Sequence, residues 1–195
     1  MKLYSILILK KEAKSKIIAS NFDLSSFGFF QRGGVQEFMN FTAITIVDRV
    51  NPGLRQSIEK EENVAHVYLN QQDIAIAIFS DKEYPSRVAF SLINKIMDEF
   101  YVKFSPEQWD SNDLLPYPEL AEYLKKYQDP KQADAIMKVQ NELDETTAIL
   151  HKTIDSVLQR GEKLDALVDR SEALSSQSKM FYKTAKKTNS CCVVM

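Results

Sequence analysis

The sequence predicts an α+β chain: an N-terminal domain built on a five-stranded antiparallel sheet with flanking helices, followed by one long coiled-coil helix. Three observations carry this prediction. Apolar runs of strand length recur up to Ser80, separated by short polar breaks. All six prolines and four of the five glycines lie before Lys131, so the C-terminal third holds a single helix breaker, Gly161. From Ile136 onward, apolar and small residues recur every three or four positions.

The elements follow in order. Leu3 to Leu9 is a continuous apolar run, and Ile17-Ile18 begins a second strand. The Gly33-Gly34 pair precedes a helix from Val35 to Val50, which stops before Asn51-Pro52-Gly53. Arg55 to Lys60, Val64 to Asn70 and Ile74 to Ser80 read as three further strands, the last two joined across Asn70-Gln71-Gln72-Asp73. After Pro85, Val88, Ala89, Leu92, Ile93, Ile96 and Phe100 are spaced as one face of a helix from Ser86 to Tyr101. A segment with Trp109, Pro116 and Pro118 leads to a short helix from Leu120 to Tyr127. The chain divides into a domain over 1–127, a linker over 128–132, a coiled-coil motif over 133–189 and a tail over 190–195.

Composition excludes several classes. Hydrophobic residues make up 44% of the 195, enough for a packed core, while 27% charge argues against a membrane-embedded chain. No apolar run reaches the roughly 18–20 residues of a membrane span. Lys10, Lys11 and Glu12 interrupt any signal-peptide core, which places the chain on the cytosolic side. A net charge of −2 implies no nucleic-acid partner. No metal or cofactor is expected, since the only cysteines are Cys191 and Cys192, and His66 and His151 have no ligating neighbours. The glycines, at 28, 33, 34, 53 and 161, form no phosphate-binding loop, and no catalytic constellation is present.

The heptad register runs Ile136, Val139, Leu143, Thr146, Leu150, Thr153, Val157, then Arg160, then Leu164, Leu167, Ser171, Leu174, Ser178, Phe181, Ala185 and Thr188. Steps of three and four sustained this long define a coiled-coil seam. One apolar stripe has nothing to bury against by itself, so the helix needs partner helices. Arg160 stands at the middle of the seam. An unpaired buried charge costs about 3–5 kcal/mol, so either partner helices supply acceptors or the side chain lies on a solvated edge.

The last four residues, Cys192-Val193-Val194-Met195, match a C-a-a-X box, and the terminal methionine favours farnesylation of Cys192. Cys191 is the natural second site, for palmitoyl or a second prenyl group. Stable anchoring takes two such signals. Lys179, Lys183, Lys186 and Lys187 precede the cysteines with no acid after Glu172, suited either to an anionic leaflet or simply to helix solubility.

The stretch Val157-Leu158-Gln159-Arg160-Gly161-Glu162-Lys163-Leu164-Asp165 resembles the centre of an R-SNARE motif. The resemblance implies that Arg160 forms the ionic zero layer with glutamines from three Q-SNARE helices, Qa, Qb and Qc. Phe27-Gly28-Phe29-Phe30-Gln31-Arg32 and Asp81-Lys82-Glu83-Tyr84-Pro85 resemble signatures of the longins, whose N-terminal domain is profilin-like. Together these features are similar to the prenylated longin-domain R-SNAREs related to synaptobrevin. The resemblance implies membrane fusion in ER–Golgi, intra-Golgi, endosomal, vacuolar and autophagosomal transport. It also implies recycling by the NSF and SNAP machinery, with the chain shared between cytosol and Golgi, vesicle, endosomal and vacuolar or lysosomal membranes.

On the helix from Val35 to Val50, the residues Val35, Phe38, Met39, Ile46 and Val50 share the face that covers the sheet, while Phe41 and Ile44 project from nearly the opposite side. Scattered exposed apolar residues are normal. The sharper reading is that Phe41 and Ile44 border a groove that receives the SNARE segment, the lipid, or both, in an intramolecular, inhibitory contact. The rival is a lipid-anchored longin-type trafficking adaptor whose coiled coil merely dimerises.

Overall fold

A computed structural model describes residues 1–110, 114–129 and 148–190, with residues 188–190 as backbone only. Its strands are β1 (Leu3–Lys10), β2 (Lys16–Phe22), β3 (Arg55–Lys60), β4 (Asn63–Leu69), β5 (Ile74–Asp81) and β6 (Ile149–Thr153). Its helices are α1 (Arg32–Val47), α2 (Ser86–Lys103), α3 (Pro106–Asp110), α4 (Glu119–Lys126), α5 (Ile154–Val157), α6 (Leu164–Arg170) and α7 (Ser176–Ser190). A 3-10 turn at Phe29–Gln31 leads into α1.

The sheet order is β2-β1-β5-β4-β3-β6. The first five strands pair antiparallel, as the apolar runs predict. The sixth corrects the five-stranded expectation: Ile149–Thr153, expected to be helix, pairs parallel to β3 and makes the sheet mixed. Without it β3 would present an unpaired row of N–H and C=O groups, which folded proteins avoid.

Central strands β1 and β5 are buried on both faces, which is why they read as unbroken apolar runs rather than alternations. Their side chains still alternate. Ile6, Ile8, Ile76 and Ile78 pack under α2 and α4. Leu7, Leu9, Ala75 and Ala77 pack under α1. Asn70 shapes the β4–β5 connection by accepting the backbone N–H of Gln72 at 2.9 Å and of Ile74 at 3.0 Å. The chain then closes on its beginning. Gln128 accepts from the Leu3 N–H at 3.1 Å and donates to the Leu3 carbonyl at 2.6 Å, imitating a neighbouring strand.

One buried titratable group lies inside this sheet. His66 on β4 is fully buried, with Nδ1 2.9 Å from Ser57 Oγ on β3 and Nε2 3.1 Å from Ser80 Oγ on β5. Burial, with a smaller contribution from His151, lowers its pKa from 6.5 to about 4. The folded chain therefore binds fewer protons than the unfolded one between those values. Stability is fully present above the ordinary histidine range and falls as pH drops toward about 4, by roughly 3 kcal/mol. Thermal melting between neutral pH and pH of about 4 should show this loss, and a His66→Asn variant, though less stable overall, should show a flatter slope.

Candidate functional site

The C-terminal segment wraps the α1 face of the sheet and builds the candidate site with it. The expectation of a single continuous helix gives way, among the described residues, to β6 and three shorter helices. The physical reason is the one that made partners necessary: an apolar stripe in water seeks any surface that will cover it. In the single chain that surface is its own domain.

The contacts begin at the sheet edge. β6 runs in register with β3, Ser57 opposite His151, and Lys152 donates to the Gln56 side chain at 2.9 Å. Ile149 and Thr153 are β-branched, which suits a strand as well as a helix. Next comes a turn between α5 and α6. The Glu162 N–H donates to the Gln159 carbonyl at 2.9 Å, and the Glu162 carboxylate accepts from the Gln159 N–H at 3.1 Å. Gly161 takes φ of +90° in this turn, a conformation that L side chains rarely adopt. Arg49, at the end of α1, grips the same carboxylate with Nη2 at 3.1 Å and Nε at 3.3 Å. These donors, the Gln159 N–H first, hold Glu162 below the usual carboxylate range.

Helix α7 then lies along α1. Gly34 faces α7, where a methyl group in its place would meet Ser178 Cα and Phe181 Cβ at ordinary contact distance. Phe38 stacks on Tyr182 at 5.0 Å between ring centres, and Phe27 meets Phe181 edge-on. The Glu37 carboxylate accepts from Ser178 Oγ and from the Ser175 N–H, which lowers its pKa. Tyr182 donates to Asp165 at 2.5 Å, and Lys186 pairs with the same carboxylate. Between α1, the sheet and α7 lies an apolar cavity of about 210 Å³, lined among others by Tyr4, Phe38, Met39, Ile58, Phe79 and Tyr182.

The sequence-derived site residues distribute unevenly. Ile136, Val139, Leu143, Thr146, Cys191 and Cys192 lie outside the described residues, and Thr188 is described by its backbone alone. Leu164, Leu174 and Ser178 are buried against the domain. Val157, Leu167, Ser171, Phe181 and Ala185 are half-buried, while Leu150, Thr153 and Arg160 are exposed. Phe41 and Ile44 are half-buried and line a cleft whose far wall carries Leu167 and Arg170. That cleft is distinct from the apolar cavity, which α1 lines with Phe38, Met39 and Ile46. Phe38, expected to cover the sheet, packs against the core on that face and also stacks on Tyr182 of α7.

Four residues that the seam did not include are buried here: Ile154, Leu158, Val168 and Tyr182. Each stands one position after a seam residue, namely Thr153, Val157, Leu167 and Phe181. The segment thus carries a second apolar stripe, about 100° around the helix, and this one faces the domain. The signal was visible as apolar residues just off the seam. Arg49 and Glu162, on the other hand, are 113 residues apart and carried no sequence signal.

Comparison with known proteins bears on the whole chain. Residues 24–138 match the Longin family model, a regulated-SNARE-like domain, and residues 135–193 match the Synaptobrevin model. The chain is 56% identical to the synaptobrevin homolog ykt6 of Schizosaccharomyces pombe, 54% to synaptobrevin homolog YKT6 of Eremothecium gossypii and 52% to that of Saccharomyces cerevisiae. Each match covers all of both chains. Among the described residues no helix is long and apolar enough to cross a membrane.

The off-seam stripe gives a direct expectation. Replacing fully buried Val168 with Ser should weaken the docked arrangement by about 2 kcal/mol, roughly 30-fold in population. Hydrogen exchange should then speed up along α6 and α7 while β1 to β5 keep their protection.

Proposed function

The chain belongs to the longin-domain synaptobrevin homologues, a non-enzymatic SNARE family of membrane trafficking, and from that premise we propose that it is an R-SNARE whose longin domain restrains its own fusion helix. In the assembled state Arg160 is the zero-layer residue of a four-helix bundle with one Qa, one Qb and one Qc helix. Layers Ile136 to Val157 zipper before Leu164 to Thr188, drawing two membranes together. Farnesyl on Cys192 and palmitoyl, or a second prenyl group, on Cys191 supply the anchor. The steps served are those of ER–Golgi, intra-Golgi, endosomal, vacuolar and autophagosomal transport, with NSF and SNAP separating the spent bundle.

The observation that carries the reading is how the seam is used in the closed chain. Leu164, Leu174 and Ser178, three layers of the proposed bundle, are spent against the longin domain, so the closed form cannot offer them to partners. The apolar cavity beneath α7 supports a further restraint. A farnesyl chain folded into it would hide apolar area worth several kcal/mol at about 25 cal/mol per Å² and keep the cytosolic pool soluble. Phe41 and Ile44 border the neighbouring cleft and strengthen the same contact.

Gly161 is the hinge between the two states. In the closed turn its φ is +90°, whereas the bundle requires an ordinary helical residue next to Arg160. A Cβ added at Gly161 meets nothing within 4 Å, so substitution acts through the backbone alone. Alanine would destabilise the left-handed turn by about 1–2 kcal/mol and favour the helix by about 1 kcal/mol.

Two measurements test this reading. Mixed with three Q-SNARE helices, the chain should form an SDS-resistant complex that Arg160→Ala or Arg160→Glu weakens. A chain that pairs only with itself would instead favour the dimerising adaptor. In the same assay Gly161→Ala should speed assembly by about tenfold or more, because the closed state no longer competes. An unchanged assembly rate would remove Gly161 as the hinge.

A further inference from the structure

The surface of the closed form carries one apolar feature that neither the longin–SNARE contact nor the proposed bundle uses. Phe29 is 77% exposed and Phe30 is 84% exposed, on adjacent positions of the 3-10 turn before α1. Their rings meet edge-to-face at 5.5 Å, so they form one protruding unit. Other strongly exposed apolar residues, such as Leu54, Val102 and Leu114, stand singly in sequence and need no special account. Two adjacent solvent-facing phenylalanines do.

The turn that presents them is tied down from three sides. The Gln31 N–H donates to the Gly28 carbonyl at 2.8 Å, and Arg32 Nε donates to the Phe27 carbonyl at 3.1 Å. From α7, Gln177 Nε2 donates to the Phe30 carbonyl at 2.6 Å. The last contact joins the aromatic tip to one edge of α7. At 100° per residue, Gln177, Met180, Thr184 and Lys187 fall on a single strip of that helix, away from Ser178, Tyr182 and Ala185, which face α1. Met180 is 68% exposed.

Charge indicates what could cover this strip. Helix α7 contains Lys179, Lys183, Lys186 and Lys187 and no acidic residue. Three of these cations engage α6, Lys183 and Lys186 through Asp169 and Asp165 and Lys179 through the Asp169 carbonyl at 2.9 Å, while Lys187 on the strip is exposed. Arg32, next to the aromatic tip, is exposed as well. Aromatic rings on a surface that also carries Arg32 and Lys187 fit the headgroup region of an anionic bilayer, where amphipathic rings settle and cations meet phosphates.

We propose that Phe29 and Phe30, with Met180 and the cations Arg32 and Lys187, form a membrane-docking surface of the closed protein, its ligand an anionic lipid bilayer. The surface does not depend on the fusion role. It gives the closed chain weak, reversible contact with a membrane before any second lipid is attached. A single isoprenoid folded away in the protein supplies no such contact by itself.

The test uses the full chain without lipid, as a Cys191→Ser/Cys192→Ser variant, and vesicle flotation. Phosphatidylcholine vesicles containing about one-third phosphatidylserine should carry it up, pure phosphatidylcholine much less, and added salt should weaken the binding. Phe29→Ala/Phe30→Ala should reduce flotation by about fivefold or more, while Val102→Ala, an isolated exposed residue, should not. Brominated lipids should quench F30W well beyond the native chain, whose only tryptophan, Trp109, is buried. Equal flotation of the double alanine variant overturns the proposal. So does loss of self-association in sedimentation with vesicle binding unchanged, which would assign the patch to a second copy of the chain.

Discussion

A lone helix with one apolar stripe cannot rest in water. That constraint organises this molecule, because the stripe must be covered either by foreign helices or by the chain's own domain. The longin domain supplies two uncovered features that answer it. One is the open edge of β3, which takes β6 as a parallel neighbour. The other is the outer face of α1, where Phe38, Glu37 and Arg49 receive Tyr182, Ser178 and Glu162. In the closed chain domain and segment complete each other.

In the proposed cycle the same segment also has to leave. The closed form docks through the stripe one residue off the seam together with Leu164, Leu174 and Ser178 of the seam itself. Ile154, Leu158, Val168 and Tyr182 hold the segment down, while Val157, Leu167 and Phe181 stay only half-buried. The polar contacts are of a kind that loosens readily. Lys183 with Asp169 and Lys186 with Asp165 lie at the rim, where solvent screens them and each contributes little. The docked state thus rests on apolar burial shared between two competing surfaces, and a modest difference in that burial decides which surface wins.

Much of this was legible in the sequence. Five strands and the two main helices followed from apolar runs and helical spacing, because burial on both faces of β1 and β5 leaves little choice of residue. The seam followed from its repeat. What the repeat concealed was the closed form. Periodicity reports which face is apolar, not which surface covers it, and Ile149 and Thr153 suit a strand as readily as a helix. Phe38 shares the core-facing side of its helix with Met39 and Ile46, and nothing in that spacing tells that its ring also stacks on Tyr182. The Arg49–Glu162 pair joins residues far apart in sequence that no local pattern connects.

The position of the break is itself explained by charge. A guanidinium can be buried only where acceptors meet it, and the nearest carboxylate in sequence, Glu162, is already committed to Arg49 of the longin domain. Interrupting the helix at Gly161 turns Arg160 outward into water, where its charge costs nothing. The residue proposed to need foreign helices is thus one that the closed chain leaves exposed. A glycine beside it is what lets the backbone make that turn, because no other residue takes φ of +90° without strain.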